Sequence, residues 1–256
     1  MKKIPRTLQT VFLVMILSLF VISSCEQSTA PKRRAPSQSL VIDYERENQE
    51  AEEAALWLSG ELEAPEELYL TIRDDLAQIR SAYHSGIPEV AITFFPPWVP
   101  GMLLLGVTDD AKRQIRLGIY HDLDSLNTLY HLADMDTSRL GRSSSNSISL
   151  IFKGRLHPGV LSAQYGLIPS LIYAEPNGWI GDWSNVYPWI TDEGMTYLFR
   201  KGEGDCPAGC IDSYFWYFKI TDAGIDYIGS WESGAPPEPH WWMEAKQAYE
   251  HYRYGW

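Results

Sequence analysis

Met102-Leu-Leu-Leu-Gly-Val107 is the stretch that decides the fold, because this apolar run leads directly into Thr108-Asp-Asp110 and a charged segment through Arg116. A short continuous apolar run bounded by turn residues is typical of a buried strand. Thr108 is a favoured helix N-cap residue, and the two acids after it complement the positive end of a helix dipole. The pattern therefore predicts a strand followed by a helix that ends at Gly118.

Five further elements are predicted after this strand and helix. They are a helical stretch from Asp122 to His131, a strand near Ala133–Leu140, an alternating strand from Ser147 to Leu156 with Ile148, Leu150 and Phe152 on one side, a helix from His157-Pro158 to Leu167, and a strand from Ser170 to Glu175 that Pro176-Asn177-Gly178 closes. Apart from the first helical stretch, the order from Gly101 to Gly181 is strand, helix, strand, strand, helix, strand. This order is the split βαβ, or ferredoxin-like, plan. We therefore expect an α+β fold with a ferredoxin-like βαββαβ domain at residues 87–182.

Two helices are predicted before this domain, in an N-terminal helical segment at residues 41–86. The first runs from Tyr44 to Ser59, is rich in Glu and Ala, and stops at Gly60. The second begins at Pro65 and ends before Gly86, with apolar residues at helical spacing at Leu68, Ile72, Leu76, Ile79 and Tyr83. The proline- and aromatic-rich stretch 94–100 cannot be helical, so we expect it to pack over the core as extended chain.

Residues 183–256 are predicted to form an aromatic-rich antiparallel β region that ends in a short helix. Two strands, Met195–Lys201 and Ile211–Thr221, flank the Gly202–Cys210 loop as in a hairpin, Ile225–Trp231 adds a third strand, and a helix follows at Met243–Tyr252. This sheet would follow the ferredoxin-like domain in the chain.

The second strand of this hairpin carries five consecutive aromatic residues. Tyr214, Trp216 and Phe218 share one face of the strand, and Phe215 and Tyr217 share the other. Packing in a core is the favoured role of these rings. The alternative is that Tyr214, Trp216 and Phe218 form an exposed aromatic face that binds a partner.

The first residues of the chain have the pattern of an export signal. Lys2, Lys3 and Arg6 precede an apolar run, residues 11–22, that Ser18 alone interrupts. This run of about twelve residues is shorter than the roughly twenty that span a membrane. It therefore fits a cleaved signal sequence, residues 1–24, better than a transmembrane helix.

Ile22-Ser-Ser-Cys25 resembles a bacterial lipobox. The resemblance implies cleavage before Cys25 and acylation of that cysteine, so residues 25–40 would comprise the lipidated cysteine and a flexible tether. An ordinary cleaved signal with an incidental cysteine is the disfavoured alternative. Glu26 resembles the residue found after the cysteine in lipoproteins sent to the outer membrane. We therefore expect a lipid-anchored protein of the cell envelope, at the outer membrane, facing the periplasm or the cell surface.

Cys206 and Cys210 are expected to form a disulfide, because an exported chain lies where disulfides persist. A bridge across so short a loop contributes at most about 2 kcal/mol, so its role would be to fix the turn. A redox pair is disfavoured because the usual spacing is Cys-x-x-Cys before a helix, and zinc is disfavoured because no second ligand pair is suitably spaced. Glu203, Asp205 and Asp212 are candidate calcium ligands, although they lack the alternating spacing of a known calcium loop.

The net charge excludes several classes of partner. Removal of the three basic residues of the signal changes the net charge from −12 to −15. An acidic surface repels nucleic acid and anionic lipid headgroups. We therefore expect no nucleic-acid partner, and membrane contact only through the N-terminal acyl chains.

The sequence carries none of the common catalytic or cofactor motifs, including Gly-x-Ser-x-Gly, His-Glu-x-x-His, a phosphate loop and Gly-x-Gly-x-x-Gly. His121, His131 and His157 are isolated, and isolated histidines more often cap helices or pack in cores than ligate metals. We therefore expect no catalytic residue, no enzyme activity, no cofactor and no resident metal.

Two segments in the last predicted helix and strand resemble the C-terminal end of subtilisin-type propeptides. They are Leu161-Ser-Ala-Gln-Tyr165 and Leu171-Ile-Tyr-Ala-Glu-Pro-Asn177. Leu103-Leu-Leu-Gly-Val107 is similar to their first strand. The resemblance, over residues 101–181, implies a ferredoxin-like inhibitor and chaperone domain whose chain after the last strand lies in a protease cleft. The matching tail here is Gly178, Trp179, Ile180, Gly181 and Asp182.

Two departures from this family are clear. The chain after Gly181 is too short to hold the protease that follows a propeptide, and the helical stretch from Tyr120 to His131 is not part of the propeptide pattern. The segment Gly204-Asp-Cys-Pro-Ala-Gly-Cys210 is similar to one in other exported bacterial proteins, a likeness that implies no activity.

These observations predict a membrane-anchored exported lipoprotein whose folded part is a non-catalytic binding module for a protein or glycan partner. Its most specific form is an inhibitor of a subtilisin-like protease. The alternatives are an envelope hydrolase with a carboxylate or histidine site that the sequence does not reveal, and a purely structural envelope protein.

Overall fold

A computed structural model of the protein describes residues 49–141, 145–178 and 181–254. The predicted signal sequence, Cys25 and the tether therefore lie outside the described residues. So do the first residues of the predicted helix at 44–59, and Trp179 and Ile180 of the predicted partner-binding tail.

Within these ranges the chain forms six α-helices and eight β-strands. The helices are α1 (Gln49–Ser59), α2 (Glu66–Tyr83), α3 (Asp109–Leu117), α4 (Asp124–Leu129), α5 (Pro158–Tyr165) and α6 (Trp242–Tyr254). The strands are β1 (Trp98–Val107), β2 (Leu132–Asp136), β3 (Ser147–Phe152), β4 (Leu171–Gly178), β5 (Asn185–Thr191), β6 (Gly194–Glu203), β7 (Asp212–Thr221) and β8 (Gly224–Glu232). Short 3₁₀ helices lie at Pro88–Ala91, Ser138–Gly141 and Cys206–Ala208. Among the helices of the described ranges, none combines the length and the apolar character that a membrane span requires.

The strands form two four-stranded sheets in which all neighbouring strands are antiparallel, so the predicted α+β class is confirmed. The first sheet has the order β2-β3-β1-β4 and the second has the order β5-β6-β7-β8. The predicted disulfide between Cys206 and Cys210 is also present.

The apolar run that opens the fold lies in β1, at the centre of the first sheet. Leu103 and Leu105 are fully buried, and they lie opposite Leu150 and Ile148 of β3. Their side chains pack in one hydrophobic cluster with Ala111 of α3, with Leu161 and Tyr165 of α5, and with Leu123 and Tyr130, the residues that flank α4. One face of this sheet is therefore the core face that the alternation of β3 predicted.

In this half, α3 begins and ends at the predicted capping residues, and α5 begins at the predicted residue. The Thr108 hydroxyl accepts a hydrogen bond from the Ala111 amide at 3.3 Å, and Gly118 ends α3 in the left-handed region at φ 70°. His157 is the N-cap of α5, because its Nδ1 accepts from the Val160 amide at 3.3 Å.

Several predicted boundaries in this half are wrong. β2 ends at Asp136, β3 ends at Phe152 and α5 ends at Tyr165, so each is shorter than the sequence pattern predicted. Pro176-Asn177-Gly178 was predicted to close the last strand, yet β4 continues through it, with Pro176 paired to Leu103. β4 is an edge strand, where proline is tolerated because one side of the strand needs no ladder hydrogen bonds.

The second sheet is covered on both faces. On one face Tyr83 of α2 packs on Phe218 at 5.1 Å between ring centroids, and the Tyr197 hydroxyl donates to Asp75 of α2 at 2.8 Å. On the other face Trp242 of α6 packs on Phe215 at 4.7 Å between ring centroids.

The strand β5 of this sheet was not predicted from the sequence.

Trp57 of α1 lies where the two halves of the described chain meet. Its ring centroid is 4.8 Å from that of Trp98, 5.4 Å from that of His157 and 6.2 Å from that of Tyr252. The helices α1 and α2 share a hydrophobic cluster with the second sheet and α6. The N-terminal helices therefore pack with the C-terminal sheet, although the first sheet lies between them in the chain.

Candidate functional site: an aromatic cleft beside the disulfide loop

A cleft of about 410 Å³ opens at the end of the second sheet, on the face that α6 covers. Four separate parts of the chain line it. The lining residues are Phe95 and Pro97 of the extended segment, Gly181, Asp182, Trp183, Asn185 and Tyr187 at and before the start of β5, Pro207, Ala208 and Gly209 of the disulfide loop, and Tyr249 and Tyr252 of α6. The site is therefore a product of tertiary structure.

Asn185 holds the Phe95 side of the cleft in place. Its Oδ1 accepts from the Phe95 amide at 2.8 Å, and its Nδ2 donates to the Phe95 carbonyl at 2.9 Å. The same Oδ1 accepts from the Val186 amide at 2.8 Å. Because the Asn185 side chain is buried and bonded to the backbone on both sides, it positions Phe95 relative to β5.

Asp182 and Arg200 form a bidentate ion pair at the base of the cleft. Arg200 Nη1 donates to Asp182 Oδ1 at 2.6 Å, and Nη2 donates to Oδ2 at 2.7 Å. Arg200 is only 1% exposed, whereas the Asp182 side chain is 23% exposed. A buried guanidinium of this kind is stable only when it is paired and fully hydrogen-bonded.

Arg200 makes three further contacts beside the ion pair. Nη1 also donates to the Trp183 carbonyl at 3.1 Å, Nε donates to the Ser213 hydroxyl at 2.9 Å, and the guanidinium carbon lies 5.6 Å from the centre of the Tyr249 ring. Burial alone would lower the pKa of Arg200, but hydrogen bonds to the Asp182 carboxylate raise it above its ordinary value. Arg200 therefore stays charged and keeps Asp182 in a fixed position.

The disulfide loop forms one wall of the cleft. The Asp182 amide donates to the Cys206 carbonyl at 2.8 Å, so the loop and the tail after β4 are bonded to each other. Gly181 has φ 114°, and a Cβ there would lie 3.3 Å from the Cys206 carbonyl oxygen and 3.4 Å from Pro207 Cα. Glycine is therefore favoured at this position by its backbone conformation, and a Cβ would also make a tight contact with the Cys206 carbonyl.

Aromatic rings supply most of the other walls. Trp183 is 45% exposed, and its ring lies 6.0 Å from that of Phe95 at an angle of 51°. The centre of the Tyr187 ring lies 5.5 Å from that of Tyr249 and 5.4 Å from that of Tyr252. Burial raises the pKa of Tyr187 and that of Tyr252, so both phenols are neutral at physiological pH.

No family model, curated protein or solved structure matches this chain.

The predicted partner-binding tail lies in part at this cleft. Gly178 ends β4 opposite Trp98, whereas Gly181 and Asp182 line the cleft, and Trp179 and Ile180 lie outside the described residues. The tail and the Cys206–Cys210 loop were predicted for separate reasons, and the structure brings them together.

The predicted aromatic face of β7 lies elsewhere. Phe218 is fully buried between Tyr83, Phe199 and Tyr227. Of the three predicted residues, only Tyr214 and Trp216 keep part of their surface exposed, and neither lines the cleft.

The described ranges contain no group of three or more His, Cys, Asp or Glu side chains that could hold a metal ion. The candidate calcium ligands Glu203, Asp205 and Asp212 are exposed, and Glu203 pairs with Lys201 at 2.7 Å. Of the three histidines considered, His121 bonds to Asp124 at 2.8 Å and His157 caps α5.

Sequence reasoning missed most of the cleft, namely Phe95, Trp183, Asn185, Tyr187, Arg200, Tyr249 and Tyr252. Arg200 carries a signal that could have been used, because an arginine within the apolar strand sequence Tyr197-Leu-Phe-Arg200 predicts a buried ion pair. The partner of that pair could not be chosen from the sequence, since acids are plentiful throughout the chain.

Proposed function

We propose that this protein is an exported lipoprotein, held at the cell envelope by acyl chains on Cys25, whose folded body is a non-catalytic binding module. The anchor is supported by the signal-like residues 1–24 and by Ile22-Ser-Ser-Cys25. Metabolic labelling with an alkyne palmitate analogue tests it. The wild-type protein should be labelled and sediment with membranes, and Cys25→Ser should lose both properties. A labelled Cys25→Ser variant would overturn the anchor.

We also propose that the first sheet with its helices is a ferredoxin-like domain. Its order, β2-β3-β1-β4, is that of the split βαβ plan. The helical connection through α3 links β1 to β2, and α5 links β3 to β4, so each connection passes over one intervening strand. Residues of both helices pack in the same hydrophobic cluster, as that plan requires.

The observation that supports binding rather than catalysis is the Asp182–Arg200 pair. Asp182 is the one carboxylate among the described residues that line the cleft, and both of its oxygens accept hydrogen bonds from Arg200. Both oxygens of this carboxylate are engaged by Arg200, and the described lining holds no second acid or histidine beside it. Glycosidase-type hydrolysis uses two carboxylates in one cleft. The rings around it offer a surface for a ligand.

In vivo photo-crosslinking tests whether the cleft binds a partner. Benzoylphenylalanine placed at Ala208, an exposed residue of the cleft wall, should give an adduct of reduced mobility upon irradiation of whole cells. The same residue placed at Leu117, which is 71% exposed and lies at the end of α3, is the control. No adduct at Ala208, or equal adducts at both positions, would overturn the proposed site.

A more specific version is inhibition of a subtilisin-like protease. It is supported by the propeptide-like residues 161–177 and by the strand order of the first sheet. It requires release of the tail, because Asp182 is bonded to Arg200 and to the Cys206 carbonyl. Assays of several subtilisin-type proteases with micromolar protein test this version, and unchanged rates would overturn it.

A further inference from the structure

We propose that the cleft binds a quaternary ammonium group, which packs on the exposed Trp183 ring beside the Asp182 carboxylate. This inference rests on the proposed binding function and names the chemical group that the same site recognises. Such a group occurs on free cations such as choline and on lipid headgroups, and the experiment distinguishes these two sources.

Trp183 supplies the aromatic surface of the site. Its side chain is 45% exposed, and the centre of the Phe95 ring lies 6.0 Å from it. Among aromatic side chains, tryptophan attracts a cation most strongly, and the attraction grows when the cation leaves water. The backbone that carries this ring is fixed before a ligand binds, because the Trp183 carbonyl accepts from Arg200 Nη1 at 3.1 Å and the Asp182 amide donates to the Cys206 carbonyl at 2.8 Å.

The charge that faces the cleft is negative. Asp182 is the one charged side chain among the described lining residues, and it is 23% exposed. Its counter-ion, Arg200, is only 1% exposed and is not part of the described lining. The pair therefore presents its carboxylate to the cleft and keeps its guanidinium in the interior. Because the whole chain also has a net charge of −12, both the local and the overall field favour a cation over an anion.

The hydrogen bonds at the cleft favour a ligand that has no donor groups. Both oxygens of Asp182 accept from Arg200, the Trp183 carbonyl accepts from the same guanidinium, and the Phe95 carbonyl accepts from Asn185 Nδ2. A primary ammonium or a hydroxyl group would lose hydrogen bonds to water on entering such a site. A quaternary ammonium has no N–H group and loses none, so its charge can meet the aromatic surface without this cost.

The size of the cleft fits an ammonium group at the end of a longer molecule. Its volume is about 410 Å³, and small-molecule sites span roughly 300–1,000 Å³. Pro207 and Ala208 of the disulfide-loop wall are exposed, so a chain attached to the ammonium group can leave the cleft over them.

Isothermal titration of the full-length protein with matched compounds tests the proposal. The protein is kept in a polyoxyethylene detergent, because phosphocholine detergents would compete for the cleft. The probes are choline, tetramethylammonium, the neutral isostere of choline in which a carbon replaces the nitrogen atom, and ethanolamine, its primary ammonium analogue. Choline should bind with a Kd of about 0.1–1 mM, and the neutral isostere and ethanolamine should each bind at least about tenfold more weakly.

Glycerophosphocholine distinguishes the two sources of the group, because it joins the same cation to the phosphodiester of a lipid headgroup. Binding as tight as that of choline, or tighter, would identify lipid headgroups as the source. Weaker binding would identify a free cation. Either result supports the proposed chemistry.

Three variants separate the cleft from the rest of the surface. Trp183→Leu keeps an apolar side chain but removes the ring, so it should weaken choline binding at least about tenfold, whereas Trp183→Phe should weaken it no more than about threefold. Because Trp183 is 45% exposed, both variants should fold, and equal midpoints of urea denaturation check this. Ile190→Ala, at a residue that is 56% exposed and outside the described cleft lining, should leave binding unchanged.

Three results would overturn the proposal: no binding of choline or tetramethylammonium at about 20 mM, equal binding of choline and either control compound, or equal binding of choline by wild-type protein and Trp183→Leu. If an adduct forms at Ala208 in cells while no quaternary ammonium binds, the cleft is a binding site and the ligand class is wrong. If neither is observed, both this inference and the proposed site fail.

Discussion

The two sheets of this protein bury their side chains in different ways. In β1 of the first sheet, Leu103 and Leu105 are fully buried, while Leu104 between them is partly exposed. In β6 of the second sheet, the consecutive residues Tyr197 and Leu198 are both fully buried. The difference arises because helices pack on the core face of the first sheet, whereas α2 and α6 cover opposite faces of the second.

Polar groups and binding surfaces arise at different places in the two sheets. A sheet with one core face can leave polar side chains on its other face. In the sheet that is covered on both faces, buried polar side chains find partners within the protein, as Arg200 pairs with Asp182 and Tyr197 bonds to Asp75. The cleft lies at the end of the second sheet beside α6, and there Asp182 of the Asp182–Arg200 pair is partly exposed to solvent.

The largest expected effect comes from breaking the internal pair of the second sheet. Asp182→Ala leaves the buried Arg200 without its counter-ion, so we expect a loss of about 3–5 kcal/mol in the free energy of unfolding, measured by urea denaturation. The double variant Asp182→Ala with Arg200→Met should recover most of this loss, because no buried charge remains. A loss below about 1 kcal/mol in the single variant would contradict the pairing.

Alanine substitutions at consecutive residues should destabilise the two sheets in different patterns. Leu198→Ala and Phe199→Ala should each cost about 2–5 kcal/mol, since both side chains are fully buried on opposite faces of β6. In β1, Leu105→Ala should cost about 2–5 kcal/mol, and Leu104→Ala should cost about 1 kcal/mol or less. If only one of the two β6 variants lost a large part of the free energy of unfolding, one face of the second sheet would not be covered.

His157 packs against Trp57 where the two halves of the described chain meet, and it should make the stability of the protein depend on pH. Burial lowers the pKa of His157 from 6.5 to about 4, and its Nδ1 must stay unprotonated to accept from the Val160 amide. Because the folded-state pKa lies below that of the unfolded state, stability is complete above pH 6.5 and decreases as the pH falls toward 4. The loss should be about 2 kcal/mol, allowing for residual solvent screening.

His157→Asn is the matched variant for this measurement. Asparagine is a good N-cap residue that does not titrate, so the variant should remain folded and should lose the His157 part of the pH dependence. The free energy of unfolding is measured by urea titration from pH 7 to 4. If it depended on pH equally in wild-type protein and His157→Asn, His157 would not be the source of the pH dependence.

The smallest expected effect concerns Asp75 beneath the second sheet. Burial raises the pKa of this carboxyl, so its ionised form opposes folding at neutral pH. Asp75→Asn keeps an acceptor for the Tyr197 hydroxyl and removes the charge, so it should stabilise the protein by about 1 kcal/mol or less at pH 7. The gain should shrink as the pH falls, because wild-type Asp75 then takes up a proton. Asp74→Asn, at the exposed neighbour, is the control, and a stabilisation of equal size there would refute the role of burial.

Much of the local structure could be predicted because its signals lie within a few residues. Thr108 and Gly118 mark the ends of α3, and the alternation of Ile148, Leu150 and Phe152 marks the core face of β3. β5 was missed because Pro188 within it argues against a strand. It is one of the two edge strands of the second sheet, where proline costs little.

The candidate site could be predicted only in fragments. Gly181 and Asp182 were singled out through a family resemblance, and Cys206 and Cys210 through their spacing, but nothing in the sequence joins them to Phe95 or Tyr249. These residues are separated by long stretches of chain, and their contacts depend on how helices close over the second sheet. The two-residue repeat of a strand and the 3.6-residue repeat of a helix show which face of an element is apolar, but they do not show which other element covers that face.

By itself, the sequence determined the α+β class, the caps of α3, the N-cap of α5 and the disulfide, because each depends on residue type or on neighbours a few positions away. The tertiary structure alone decided that α1 and α2, from one end of the chain, and α6, from the other, enclose the second sheet. The reason is that hydrophobic burial is not directional: any apolar helix face can cover any apolar sheet face, and only the packing of the whole chain selects the pairs. That selection places Phe95, Trp183, Asp182 and Tyr252 around one cleft.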